Sequence, residues 1–229
     1  SVNSNAGILT ITAQPNITGQ PSDQSVCVGS NTTFSVTATG AGLTYQWQLS
    51  TDNGATWNNQ ANGGVYSNMT TATMSITSAT ITMNTYQFRC VVSGTCPPSV
   101  NSTAGILTVN ALPAITVQPI NSTVCSGSNT TFSVTATGAG LTYQWQLSTD
   151  NGVIWNDQAD GGVYSDMTTS TMTITGALTG MDTYQYRCVV SGTCPPSITS
   201  SAVILTVNDT PSSSVFSSDA SICLGNSTD

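Results

Sequence analysis

Apolar and polar residues alternate with a period of two along most of this chain. No stretch carries the wider spacing of a helical apolar stripe. Phe34, Val36 and Ala38 alternate with Ser35 and Thr37, which predicts one half-buried strand. Leu43, Tyr45, Trp47 and Leu49 alternate with Thr44, Gln46 and Gln48, which predicts the next. Asp52-Asn53-Gly54 follows and supplies the positive-φ residues of a tight hairpin. Met74 with Ile76, the run Tyr86, Phe88, Cys90, Val92, and Leu107 with Val109 mark later strands. Thr is frequent at the intervening positions, where a β-branched polar residue suits a solvated pleat. Roughly seven short strands with turns between them predict an all-β, antiparallel sandwich.

The whole pattern then recurs. Cys27, Cys125 and Cys223 stand 98 residues apart, as do Cys90 and Cys188, Cys96 and Cys194, Trp47 and Trp145, and Trp57 and Trp155. Ser30–Gly54 returns letter for letter as Ser128–Gly152, and Arg89–Pro98 as Arg187–Pro196. A repeat of this length is a self-contained domain and not a solenoid turn. The expected division is 13–110 and 111–208 for two complete repeats. Residues 1–12 then read as the last strand of a preceding repeat and 209–229 as the start of a following one. On this reading the sequence is a window from a longer, mixed tandem array, which favours a spacer over an enzyme.

Charge narrows the function further. Arg89 and Arg187 are the only cations; His and Lys are absent, and the ten acids are all Asp. Two cations cannot neutralise several phosphates, which argues against nucleic acid and against anionic membranes as partners. No apolar run is long enough for a membrane span. Seven Cys without His argue for disulfides over zinc, and so for an oxidising, extracellular location.

Asp182-x-Tyr184-x-Tyr186-x-Cys188 resembles the strand F signature of the immunoglobulin fold, and Trp145 in Tyr143-Gln144-Trp145-Gln146 resembles its strand C core tryptophan. Trp47 is the equivalent in the first repeat. The resemblance makes Tyr186 the corner tyrosine, with Phe88 in its place one repeat earlier. The strand B position that usually holds a partner cysteine is Val36 or Val134, so the usual inter-sheet disulfide cannot form. The full repeat is similar to the tandem immunoglobulin-like repeats of giant surface proteins in gliding bacteria, which are exported by the type IX secretion system and include a mobile gliding adhesin. That resemblance implies end-to-end immunoglobulin-like sandwiches and a role in cell adhesion or gliding motility.

In such a sandwich Cys90 and Cys188 are expected as buried free thiols. A Cys90–Cys96 bridge is the alternative, although a full strand pair of separation fits disulfide geometry poorly. Cys27 falls at the lower end of its unit and Cys194 in the F–G loop at the upper end of the next. The short linker Asn110-Ala111-Leu112-Pro113 brings those ends together, so a Cys27–Cys194 disulfide between repeats is expected. Cys96, Cys125 and Cys223 would then pair with repeats beyond this sequence. Lysine's absence rules out isopeptide cross-links of the pilin kind.

Enzyme motifs fail on inventory. Ser50-Thr51-Asp52-Asn53-Gly54-Ala55-Thr56-Trp57 fits the Asp-box of sialidase propellers, but that motif describes a hairpin, and one Arg per repeat cannot build a sialidase site. A chain without His or Lys lacks the ordinary general base of a nucleophile triad. Asp157, Asp160 and Asp166 cluster in sequence, yet Asn59, Asn62 and Asn68 replace them one repeat earlier, so a solvated loop is preferred to a Ca²⁺ site. No cofactor is expected. Arg89 and Arg187 are expected to point outward, pairing locally or stacking on Gln or Tyr. The reading is a structural stalk of a giant extracellular adhesin or surface filament, with neighbouring repeats as partners and surface glycans or other filament chains as further candidates. The rival is a carbohydrate-binding module beside a secreted glycosidase, for which Trp57, Tyr66, Trp155 and Tyr164 are the candidate exposed aromatic contacts.

Overall fold

The computed structural model describes residues 11–209. The expectations for residues 1–10 and 210–229, Cys223 among them, lie outside the described residues. The fold is two tandem immunoglobulin-like sandwiches joined end to end. In the first, one sheet runs Gln24–Cys27, Gly105–Asn110, Gln87–Ser93, Thr44–Ser50, Asn58–Asn59, with Val100–Asn101 also paired to Gln87–Ser93. The opposing sheet holds Thr32–Ser35, Thr73–Ile76 and Tyr66–Ser67, and Asn16–Gly19 pairs with Thr37–Thr39 beside it. The second unit repeats every pairing.

One pairing departs from the antiparallel expectation. Gln24–Cys27 lies parallel to Gly105–Asn110, with Cys27 opposite Asn110. Ser122–Cys125 lies parallel to Val203–Asn208 in the same register, with Cys125 opposite Asn208. Two 3₁₀ turns, Ile81–Met83 and Thr179–Met181, also interrupt the strand pattern, and each buries its methionine.

Alternation explains the core. Inward residues of Gln87–Ser93 (Phe88, Cys90, Val92) are buried, as are Phe34, Val36, Met74 and Ile76 from the facing sheet. Trp47 is fully buried opposite Cys90, and its indole N–H donates to the Thr71 carbonyl at 2.9 Å. Trp145 repeats this against Cys188 and Thr169, at 3.0 Å. Burying an indole ring contributes several kcal/mol, provided its one donor is satisfied. Val36 and Val134 occupy the partner-cysteine positions and belong to the same cores. Cys90 and Cys188 are therefore buried free thiols, and desolvation pushes each up to about 11.

Tyr186 is fully buried but does not make the backbone bond of a corner tyrosine. Its hydroxyl meets that of Tyr164 at 3.1 Å, because its ring stacks inward on Phe132.

Candidate functional site at the joint

The residues between the units form the one place where sequence, linker and cysteine chemistry converge. A disulfide links Cys27 of the first unit to Cys194 of the second, with Sγ–Sγ 2.01 Å, Cα–Cα 5.6 Å and a sequence separation of 167. Cys27 closes the strand Gln24–Cys27, and the chain turns at once toward the strand Thr32–Ser35. Ser30 N donates to the Cys27 carbonyl at 3.0 Å, and Gly29 N to Ala79 O at 2.8 Å. The linker begins at its side. Asn110 accepts from Val28 N at 3.0 Å, and its Nδ2 donates to Ser25 Oγ at 3.0 Å.

The other half of the joint is a loop braced from three sides. Thr193 N donates to Ala139 O at 2.8 Å, and Ala139 N reaches the linker at Ala111 O, 3.3 Å away. Gly192 is required there, since a Cβ would lie 2.7 Å from Ala139 O and 3.1 Å from the Pro113 ring. Gly140, at φ +59°, likewise leaves room for Thr193 Oγ1. Cys194 is thereby held next to the linker, its Sγ 3.7 Å from Asn110 O, and is fully buried. Among the described residues Cys96 and Cys125 are free: Cys125 is exposed, and the half-buried Cys96 lets its thiol donate to Thr12 O at 3.2 Å.

The four aromatics that are candidate contacts of the carbohydrate-module reading are half-buried. Trp57 covers its own hairpin, with its indole N–H donating to Gly54 O at 3.0 Å and the Arg89 guanidinium 4.3 Å above its ring. Trp155 and Arg187 repeat this at the same distance. Each arginine is pinned from the other side, Arg89 Nε donating to Gln48 Oε1 at 2.8 Å and Arg187 Nε to Gln146 Oε1 at 2.7 Å. The arginines thus pair locally with Gln, as expected, and stack on Trp, which the sequence pattern did not predict. Tyr66 and Tyr164 lean on the core, against Phe88 and Tyr186. A shallow groove of about 570 Å³ in the first unit is lined by neutral groups such as Gln24, Asn31, Thr33 and Ser75, with no aromatic ring among its lining residues.

The acidic loop residues are spent on folding. Asp160 Oδ1 accepts from Met167 N at 2.8 Å, as Asn62 Oδ1 does from Met69 N. Asp157 Oδ1 accepts from Gln146 Nε2 at 2.8 Å, as Asn59 Oδ1 does from Gln48 Nε2 at 2.9 Å. An amide serves as well as a carboxylate, so these positions use an oxygen and not a charge. Among the described residues no group of three metal-ligating side chains occurs. In the hairpin, Asp52 takes bonds from the Thr56 side chain and backbone N–H and from Ser50, which hold its carboxyl down at about 2.

Together the sandwiches and their joint define a tandem immunoglobulin-like protein. Within that class, the chain belongs to the family described as Domain of unknown function (DUF8696), whose model matches residues 17–111 and again 115–209. No curated relative matches the sequence. Among solved structures it is similar to the I-band fragment I67–I69 from titin, at 17% identity and TM-score 0.68, covering 86% of this chain and 66% of that one. It is also similar to DIP-gamma IG1+IG2, at 15% identity and TM-score 0.57, covering 85% and 98%. A third similarity is to the N-terminal four Ig domains of Dscam1 isoform 1.9, at 16% identity and TM-score 0.52, covering 86% and 46%. At these identities the likeness is one of fold.

Proposed function

We propose that this chain is a structural stalk or spacer segment of a giant extracellular adhesin or surface filament, serving cell-surface attachment or gliding. The observation that carries the reading is the Cys27–Cys194 bond. It joins one folded unit to the next, where disulfides of small secreted domains usually close a single core. The bond gives tension that enters before Cys27 a covalent path to Cys194 that bypasses residues 28–193. The covalent shortcut makes the segment resist extension even if a sandwich opens. Such a bond persists in an oxidising compartment, which supports an extracellular location. The resemblance of the repeat to surface proteins of gliding bacteria supports export by the type IX route, and the neighbouring units of the same chain are the natural partners. Half-buried aromatics already covered by arginine make a poor carbohydrate platform, so the glycosidase-module reading is not advanced.

An antibody to one repeat, applied to intact source cells and to a large-pore denaturing gel, tests the proposal. A very large surface-exposed species lost on protease shaving is expected. A small species free in the medium overturns it.

A further inference from the structure

Among the described residues, each outer end of the pair of units repeats one half of the joint, with its cysteine free. At the C-terminal end, Cys125 closes its strand as Cys27 does, opposite Asn208 where Cys27 faces Asn110. The following turn is also the same. Ser128 N donates to Cys125 O at 3.0 Å and Gly127 N to Ala177 O at 2.7 Å, against 3.0 and 2.8 Å after Cys27. At the N-terminal end, Cys96 follows Thr95, whose N–H donates to Ala41 O at 2.8 Å, as Thr193 donates to Ala139. Gly42 leaves the same room for Thr95 that Gly140 leaves for Thr193. The copies differ in cover. Cys27 is half-buried and Cys194 fully buried where units meet, while Cys125 is exposed and Cys96 half-buried.

We infer that these ends are the two halves of further joints. The C-terminal end of the second unit docks the F–G loop of another unit of this kind, and a second copy of this chain supplies it by closing a Cys125–Cys96 bond. The inference deepens the stalk reading and rests on it for the succession of units in the native chain. Bond formation needs a disulfide oxidant. One thiolate attacks a small-molecule disulfide, releasing one thiol and leaving a mixed disulfide. The second cysteine then displaces the other thiol, so that two protein thiols and one disulfide become one protein disulfide and two small thiols. Repeated along an array, such bonds interleave. Every joint is crossed once by backbone and once by a disulfide, and the tension-bearing backbone shrinks to segments like Cys96–Cys125, which skip the strands equivalent to Thr32–Ser35 through Gln87–Ser93.

The test oxidises the concentrated full chain, in a Cys223→Ser background, with oxidised glutathione. Because Arg89 and Arg187 leave Cys96 and Cys125 in one tryptic fragment, the products are digested with pepsin at low pH, which also blocks thiol exchange. A ladder of multimers joined by Cys125–Cys96 peptides is expected, with the ladder lost in Cys125→Ser and in Cys96→Ser. Cross-links dominated by Cys125–Cys125 or Cys96–Cys96, or glutathionylated monomers alone, overturn the inference. The Cys27–Cys194 peptide in the same digest reports that the chain is folded. The antibody measurement on cells fails independently of this outcome, so loss of the stalk reading and loss of the docking inference are told apart.

Discussion

Cys27 and Cys125 hold the same place in two copies of one sandwich, with the same register, the same turn and nearly the same hydrogen bonds. One is bonded and half-covered; the other is open to solvent. Local sequence makes the two positions alike, and among the described residues it is the contact with Cys194 of the neighbouring unit that sets Cys27 apart. The same holds between Cys194 and Cys96. A cysteine's role in this chain is decided at the joint and not within the sandwich that carries it.

The comparison breaks most visibly under force. Pulled from its ends, the oxidised chain should lengthen only through residues outside the 27–194 span. Reduction or Cys27→Ser should release that span of 167 residues, on the order of 600 Å at ~3.6 Å per residue. Equal extension before and after reduction in a single-molecule measurement removes the load shortcut. At equilibrium, Cys27→Ser should also cost about 2–4 kcal/mol by loss of the cross-link, read from denaturant unfolding. Cys125→Ser, at the open copy, should leave the same curve unmoved.

The core is next. Trp47→Ala and Trp145→Ala should each destabilise their own unit by about 3–5 kcal/mol, because the two rings have matching burial and matching indole bonds. A clear inequality in denaturant unfolding would show that the units are not energetic copies.

Tyr186 against Phe88 sharpens the comparison on a finer scale. Tyr186→Phe should cost about 0.5–1.5 kcal/mol by leaving the Tyr164 hydroxyl unpaired inside the unit. Phe88→Tyr should cost less, since Tyr66 stands at 6.1 Å from that ring, as Tyr164 stands at 6.2 Å from its own. Thermal unfolding of the two variants reads the difference.

The smallest effect separates Asp52 from Asp150. Asp52 receives the Thr56 side chain, and Asp150 has Ile154 in that place. Thr56→Ile should raise the Asp52 carboxyl from about 2 toward its ordinary value, followed by NMR titration. Because the folded value lies below the unfolded one, the hairpin's stabilisation is present above the ordinary carboxylate range and fades as pH falls toward 2. Thr56→Ile should move that fading to higher pH.

Much of this is legible in the sequence. Period-two alternation carried the strands, since one buried face per strand leaves an unmistakable trace. It could not reveal that Gln24–Cys27 pairs in parallel with Gly105–Asn110, because strands of either sense alternate alike and the partner lies some 80 residues away. The Asp-box pattern marked Trp57 as part of a hairpin, but not that Arg89 reaches over from the strand Gln87–Ser93 to cover its ring. Tyr186 looked like a corner residue, and the neighbour that takes its hydroxyl stands on a different sheet.

The sequence by itself determined the repeat, the sandwich, the missing strand B cysteine and the exclusion of His- or Lys-dependent chemistry. These follow from periodicity and inventory, which are local or additive. Tertiary structure alone decided which side chains cover one another and which sulfur atoms touch. A disulfide needs its Cα atoms within a few ångströms, and only the meeting of two folded ends brings Cys27 and Cys194, far apart along the chain, to 5.6 Å.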